Sequence, residues 1–212
     1  MGTVWVIVVA AGSGLRFGGA KQYRPLAGRR VVDWSIDAAR TVATAPGDGV
    51  VLVVPPERAD DSEASVEAVV PGDETRSGSV RAGLAAVPDG ADVVVVHDGA
   101  RPLAGGGLFA AVVAAVRAGA DAALPGIDVS DTLRSRSGGE VDRDDLVAVQ
   151  TPQAFRAEAL RSAHAGGGEA TDDASLVAAA GGKVVVVAGS PTNLKITHPS
   201  DLVVAEALLR AH

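Results

Sequence analysis

Short runs made wholly of apolar residues recur along the chain: Val4–Val9, Val50–Val54, Val93–Val96, Ala122–Leu124 and Val184–Val187. They do not alternate with polar residues. Strands buried on both faces have this signature, and sheets built from them are mostly parallel. Between the runs, apolar residues return at helical spacing. Val31, Trp34, Ala38 and Val42 fall on one face, as do Val80, Leu84 and Val87. Phe109, Val112, Val113 and Val116 give the i, i+3, i+4, i+7 set, and Leu202, Ala205 and Leu209 repeat the pattern near the end of the chain. Strands that alternate with helices predict a layered α/β fold.

One segment breaks the rhythm. Residues 128–149, DVSDTLRSRSGGEVDRDDLVAV, are polar, with Ser-Gly-Gly at the centre. Thr132-Leu133-Arg134 and Glu140-Val141-Asp142 flank that turn, so the segment is expected to form an exposed hairpin, an arm inserted in the domain. The polar stretch Pro55 to Ser65 reads as surface and not as a domain boundary. With 212 residues the chain is expected to make one domain over 1–212. Hydrophobic residues make up 47% but aromatics only 3%, so Ala, Val and Leu must fill the core. There is no Cys, which removes disulfides and thiolate metal sites. Twenty-six acidic against 19 basic residues leave a net charge of −7, and no basic run is present. That balance speaks against a nucleic-acid partner or a membrane surface. No apolar run reaches the ~18 residues of a spanning helix. The apolar start has no preceding Lys or Arg and runs at once into Gly-Ser-Gly, unlike a leader peptide. A cytoplasmic location is the expectation.

The candidate chemistry starts where the first apolar run ends. Gly12 to Lys21, GSGLRFGGAK, is a glycine-rich turn carrying two cations, Arg16 and Lys21. A dinucleotide turn needs G-x-G-x-x-G; Gly12 and Gly14 fit, but Phe17 occupies the third position. Asp33, the candidate ribose contact of that motif, lies inside a helical pattern and not at a strand end. The P-loop pattern is absent. A plain glycine turn with solvated cations remains the bland alternative. A nucleotidyltransferase loop explains more: glycines let backbone N–H groups approach a triphosphate. Two cations then offset the charge that grows as one phosphate bond forms and another breaks.

Further motifs follow in order: VVVVHDGARP, with His97, Asp98, Gly99, Ala100, Arg101 and Pro102; ETRSGSV, with Arg76 and Ser79; AVQTPQAF; TDDAS; and NLKITHPSDL. From Val4 to about Leu209 the chain resembles the 2-C-methyl-D-erythritol 4-phosphate cytidylyltransferase family. The resemblance implies a Rossmann-like, mostly parallel sheet flanked by helices, with a projecting β-arm that builds a homodimer. It also implies transfer of a cytidylyl group from CTP to 2-C-methyl-D-erythritol 4-phosphate, a sugar-alcohol phosphate, with release of pyrophosphate and with Mg²⁺ as cofactor. On the same basis Gly12, Gly14, Arg16 and Lys21 match the triphosphate loop, with Ala10 and Ala11 leading into it. Arg76 and Ser79 match the cytidine-binding turn, and Gly72, Gly99 and Arg101 complete the nucleotide set. Asp98 matches the metal ligand, and Lys195 matches the lysine at the α-phosphate. Thr132, Arg143, Thr151 and Thr171 match the acceptor contacts.

Several positions depart from the family's pattern. Arg16 and Lys21 are only five apart, and Ala20 stands where the family has proline. Gly72-Asp73 replaces Gly-Gly, HDGARP carries a glycine in place of an alanine, and Ser190, Pro191 and Thr192 offer no acid before Asn193-Leu194-Lys195. The attacking group in such a transfer is an ionised phosphate oxygen, so no general base is required. Cations do the work: Arg16, Lys21, Lys195 and the metal. Arg101 has two readings, a phosphate contact or a turn-stabilising hydrogen bond. Lys195 sits in a strand-like stretch, and Thr171 doubles as a candidate helix N-cap. His97 reads as structural, and His164, His198 and His212 as surface residues. Ribitol or glycerol phosphate is the alternative acceptor. A dinucleotide-dependent oxidoreductase and a non-catalytic nucleotide sensor are the alternatives of other classes.

Overall fold

The structure, a computed structural model, describes residues 2–14, 16–61 and 63–211. Its strands are β1 (Val4–Val9), β2 (Pro25–Leu26), β3 (Arg29–Arg30), β4 (Gly49–Val54), β5 (Ala68–Pro71) and β6 (Val93–Asp98). They continue with β7 (Ala122–Asp128), β8 (Leu133–Arg134), β9 (Glu140–Val141), β10 (Val147–Val149), β11 (Gln153–Arg156) and β12 (Val184–Ala188). The helices are α1 (Val31–Arg40), α2 (Arg76–Ala86), α3 (Gly106–Arg117), α4 (Ala157–His164), α5 (Asp173–Ala179) and α6 (Pro199–Arg210). Among the described residues eight strands make one sheet, in the order β5-β4-β1-β6-β11-β7. The strand β12 pairs with β7 over Ala122–Gly126, and β10 pairs with the far end of β7. Each apolar run of the sequence is one of these strands. The pairs β5-β4, β4-β1, β1-β6 and β7-β12 are parallel, whereas β11 and β10 run antiparallel.

Alternate residues of β1 explain why its sequence is apolar throughout. Val4, Val6 and Val8 enter one core with α1 and α3, while Trp5 and Ile7 enter the other with α2, α4 and α5. On α3 the predicted set Phe109, Val112, Val113 and Val116 is buried, and so are Val80, Leu84 and Val87 along and just beyond α2. On α1 the face differs from expectation. Val32, Ile36 and Ala39 cover the sheet. Val31 and Trp34 turn towards a third cluster, built with Leu26, Ile196 and Ala205. That cluster docks α6 at the mouth of the site; Leu202 and Leu209 pack against it, with Ala205 buried.

Two features position the chemistry. β1 and β6 end side by side, with Val9 opposite Asp98, so the glycine loop and the HDGARP turn leave the sheet at the same edge. That carboxyl edge is where open α/β sheets bind ligands. The polar segment forms the hairpin β8-β9, with Leu133 opposite Val141 and Arg134 opposite Glu140. Residues 129–149 are almost all solvent-exposed, and β10 returns the chain to the sheet.

Candidate active site

The glycine loop is a compact turn closed on one carbonyl. Phe17, Gly18 and Gly19 each donate an amide to the Gly14 oxygen, at 2.8, 3.0 and 3.3 Å. Gly14 has φ +65°, and a Cβ there would lie 1.9 Å from the Gly19 oxygen, so both backbone angle and space demand glycine. The tightness of this turn is how the shortened loop keeps both cations on the cleft. A single turn of 3-10 helix, Lys21–Tyr23, follows. There the Gln22 Nε2 donates to the Gly12 oxygen at 3.1 Å and ties the loop's two ends together. Sequence reasoning passed over Gln22, because a buried amide has no periodic signature.

At the centre stands Asp98, 8% exposed at the end of β6. Its Oδ2 lies 2.7 Å from the Lys195 Nζ, and its Oδ1 lies 3.5 Å from the Arg76 Nε. Arg101 Nε is 3.8 Å away. Burial by itself would raise the Asp98 carboxyl, but Lys195, Arg76 and Arg101 outweigh it and hold the group well below the usual carboxylate range. Lys21 is shifted the other way. Burial, together with the charges of Lys195 and Arg16, pushes its pKa below the ordinary value. Lysine, arginine and aspartate from four distant stretches therefore share one field, with cations in excess.

A cavity of about 550 Å³ opens over this group. Its walls include Ala11, Gly12, Gly14, Arg16, Lys21, Arg76, Ser79, Asp98 and Lys195. Ala10, Gly72 and Gly99 lie beneath it as packing. Ala10 is fully buried, and its amide donates to Val53. Gly99 donates to Val9. A Cβ on Gly72 would meet the Ala11 Cβ at 2.2 Å, which would displace the cavity floor. The Ser79 hydroxyl accepts from the Asp73 amide at 3.0 Å and so fixes the turn that leads to α2.

A second cavity, of about 230 Å³, adjoins the first. Arg76, Asp98 and Lys195 line both. Arg101, Thr151 and Thr171 line only the second. The Arg101 Nη1 donates to the Asn193 carbonyl at 2.7 Å, so the turn-stabilising bond is present beside any ligand role. The Thr151 Oγ1 accepts from the Asp98 amide at 3.0 Å and meets the His97 Nδ1 at 3.2 Å. His97 itself is buried against Phe109, and burial pushes its pKa down to about 4. Thr132 and Arg143 are elsewhere, in a third cavity on the arm with Glu140, Asp142 and Asp144. No lining residue of that cavity is shared with the other two.

Three expectations need correction. Lys195 lies in an irregular segment outside the sheet, anchored where Ile196 donates its amide to the Ala100 carbonyl at 2.8 Å. The cap of α5 is Asp172, whose side chain accepts from the Ser175 amide at 2.7 Å, and not Thr171. His164 is a buried residue at 4% exposure and not a surface one. His212 lies outside the described residues. Asn193, buried and bonded through Nδ2 to Gln150 Oε1 and the Thr151 carbonyl, pins the segment that carries Lys195.

A family profile described as 2-C-methyl-D-erythritol 4-phosphate cytidylyltransferase, IspD, matches residues 4–211. The chain belongs to this family. It is 42% identical over 219 residues to the 2-C-methyl-D-erythritol 4-phosphate cytidylyltransferase of Rhodococcus opacus, covering 98% of this chain and 96% of that protein. It is 41% identical over 229 residues to the bifunctional enzyme IspD/IspF of Nitratidesulfovibrio vulgaris, covering 96% of this chain. The chain spans only 57% of that bifunctional relative. The crystal structure of the cytidylyltransferase from Thermus thermophilus superposes with a TM-score of 0.83 at 37% identity, covering 96% of this chain and 98% of the other. This member of the IspD family is thus built on a mixed, mostly parallel sheet with helices on both faces. No helix among the described residues is long and apolar enough to cross a membrane.

Proposed function

We propose that the protein transfers a cytidylyl group from CTP to 2-C-methyl-D-erythritol 4-phosphate, releasing pyrophosphate. One observation carries the reading: two adjoining cavities share a wall made of Arg76, Asp98 and Lys195. A transfer between two phosphates needs a donor site and an acceptor site that meet at one reacting centre. The larger cavity suits the nucleoside triphosphate and the smaller one the acceptor phosphate. An oxygen of the acceptor phosphate attacks the α-phosphorus, a new P–O–P bond forms, and the bond from the α-phosphorus to the bridging oxygen of the β-phosphate breaks. The electron pair leaves with pyrophosphate, and no proton has to move. Arg16 and Lys21 bind the leaving phosphates, aided by loop amides other than those of Phe17, Gly18 and Gly19, which are engaged by the Gly14 oxygen, and Lys195 at the shared wall faces the reacting one. These cations matter most in the transition state, where charge spreads over the phosphate oxygens.

A divalent metal fits the donor set. Asp98 is a single ionised carboxylate facing the cavity, and no group of three His, Cys, Asp or Glu among the described residues could form a protein cage. Mg²⁺ commonly takes one or two carboxylates and completes its shell with phosphate oxygens and water. Asp98 would hold it, and when bound it would supply neutralising charge on those oxygens. Lys195, now paired with Asp98 at 2.7 Å, would then turn to the phosphate.

The arm residues Thr132 and Arg143 do not reach the two cavities of their own chain. We read them as completing the acceptor site of a second copy in a homodimer, with the reaction taking place in the cytoplasm, where CTP is made. The test is pyrophosphate release with CTP and a panel of acceptors: methylerythritol 4-phosphate, ribitol 5-phosphate and glycerol 3-phosphate. The expected result is turnover with the first at the lowest concentration, dependent on added Mg²⁺. Turnover confined to ribitol or glycerol phosphate would overturn the acceptor, and turnover with ATP or UTP in place of CTP would overturn the donor.

A further inference from the structure

Behind the shared wall is a pair of buried groups for which the transfer chemistry has no use. Asp173, the first residue of α5, is fully buried, and His164 ends α4 at 4% exposure. The Asp173 Oδ1 lies 3.0 Å from the His164 Nε2, and its Oδ2 lies 2.7 Å from the Arg76 Nη1. Both oxygens are therefore engaged. Beyond Arg76 the series continues to Asp98 and then to Lys195. Side chains from α4, α5, α2 and β6 thus lead in a row from the helical layer to the reacting centre.

We propose that Asp173 and His164 are positioning residues that hold the Arg76 guanidinium at the wall between the two cavities; the inference rests on the transferase reading above. The physical argument starts from cost. A buried carboxylate loses its hydration, and an apolar pair of similar volume often serves stability as well or better. An ion pair retained there has another use. Arginine is a planar fork with five donors, and its value in binding phosphate lies in directed, paired hydrogen bonds. A fork on a flexible stem delivers that only when its far side is held. Here Asp173 grips Nη1 from behind, which leaves the rest of the guanidinium to Asp98 and the cavities. His164 closes the other end: with its Nε2 on Oδ1, the carboxylate cannot rotate without giving up a bond. The His164 Nδ1 has no partner among the described residues. The ring's one hydrogen bond is therefore spent on Asp173.

The surrounding loop shows the same bracing. Residues 165–172 dock on the first turns of α2, where Arg76 starts the helix. Arg81 donates to the Gly168 carbonyl at 3.0 Å and to Glu169 at 2.8 Å, and the Thr75 hydroxyl meets Glu169 at 3.0 Å. The Ala170 amide donates to the Ser77 hydroxyl at 3.2 Å. Thr171, on the wall of the smaller cavity, rides on this loop. One brace thus sets both Arg76 and an acceptor-side residue.

The experiment combines steady-state kinetics with NMR of arginine side chains. The variants are Asp173→Asn, His164→Gln, Arg76→Ala and the two doubles with Arg76→Ala. In the unliganded protein the Arg76 Nε–H signal should broaden and exchange faster with water in both Asp173→Asn and His164→Gln. Asp173→Asn should lower kcat by about 10- to 100-fold, as small misplacements do, with a smaller change in the KM for CTP. Placed on Arg76→Ala, neither variant should cause a further loss, because the residue through which they act is gone. An Arg76 signal with wild-type mobility in both single variants, or losses that simply add in the doubles, would overturn the assignment. Should Asp173→Asn fail to fold, His164→Gln carries both readouts. The NMR arm needs no substrate, so a failed transferase reading is told apart by the wild-type enzyme's lack of turnover.

Discussion

At the scale of single residues, the proposed transfer would rest on cations placed where charge grows. Burial first, and then the charges of Lys195 and Arg16, push the Lys21 pKa down, so an entering anion would favour its charged form. Lys21→Ala and Lys195→Ala should each lower kcat by about 10²-fold, by analogy with the removal of one preorganised donor. Steady-state kinetics at saturating CTP checks this; a rise in KM alone would mean that the lysine binds ground state and transition state equally. Asp98→Ala should abolish Mg²⁺-dependent pyrophosphate release while circular dichroism shows a folded protein. Retention of most of the activity would remove Asp98 from the metal. These three side chains stood out in the sequence because each is a polar residue placed just after an apolar run or inside a short motif. Asp173, His164 and Gln22 did not, because one buried polar residue in a helix or turn looks like any other until its partners are known.

At the scale of elements, the sheet is held by strands that are apolar on both faces, and β11 is the informative exception. It holds Gln153, Ala154, Phe155 and Arg156 and lies antiparallel between β6 and β7. A run so short, preceded by proline and interrupted by Gln and Arg, gave no strand signal. Yet Phe155 is fully buried in the core with Leu160 and Val94. Phe155→Ala should cost about 3–5 kcal/mol, measured by denaturant unfolding. The start of α1 has an electrostatic clamp: Arg30 is paired with Asp33 and Glu63, both at 2.6 Å. Burial works to raise Asp33, but hydrogen bonds from the Arg30 side chain and amide, and the nearby guanidinium charges, hold it below its ordinary value. A depressed carboxylate adds stability above its unfolded pKa, and this is lost as pH falls through the folded value. The melting temperature of Asp33→Asn should therefore lie below wild type at neutral pH, and the gap should close below about pH 4. A gap independent of pH would take the clamp out of acid stability.

At the scale of the whole molecule, a chain of net charge −7 concentrates Arg16, Lys21, Arg76 and Lys195 around one cleft, while its arm carries further acceptor candidates away from it. A homodimer in which each arm reaches the other copy would reunite them. Lys195 would then come from one chain and Arg143 from the other. Arg143→Ala and Lys195→Ala enzymes should each be nearly inactive. Reassociated in equal amounts, about half the dimers are hybrids with one intact site each, so activity should return to about a quarter of wild type. Hybrids verified by native mass spectrometry without recovered activity would place both residues in one chain's site.

The sequence by itself determined the layered α/β class, the strands β1, β4, β6, β7 and β12, the buried faces of α2 and α3, and the residues of the glycine loop and the HDGARP turn. All of these are local: period, composition and turn chemistry are written within a dozen residues. It misjudged the face of α1, because Val31, Trp34 and Val32 are equally apolar and only the docking of α6 sorts them between two cores. It left β11 to be found and placed the cap of α5 one residue early, on Thr171 where the structure has Asp172. Tertiary structure alone decided that two cavities meet on Arg76, Asp98 and Lys195, residues up to 119 positions apart in sequence, 195 minus 76. It alone decided that His164 is buried against Asp173 and that the arm's Arg143 stands apart from its own chain's site. The reason is physical: which polar groups share a field depends on where the sheet brings their strand ends, and that is a property of the assembled layers, not of any stretch of chain.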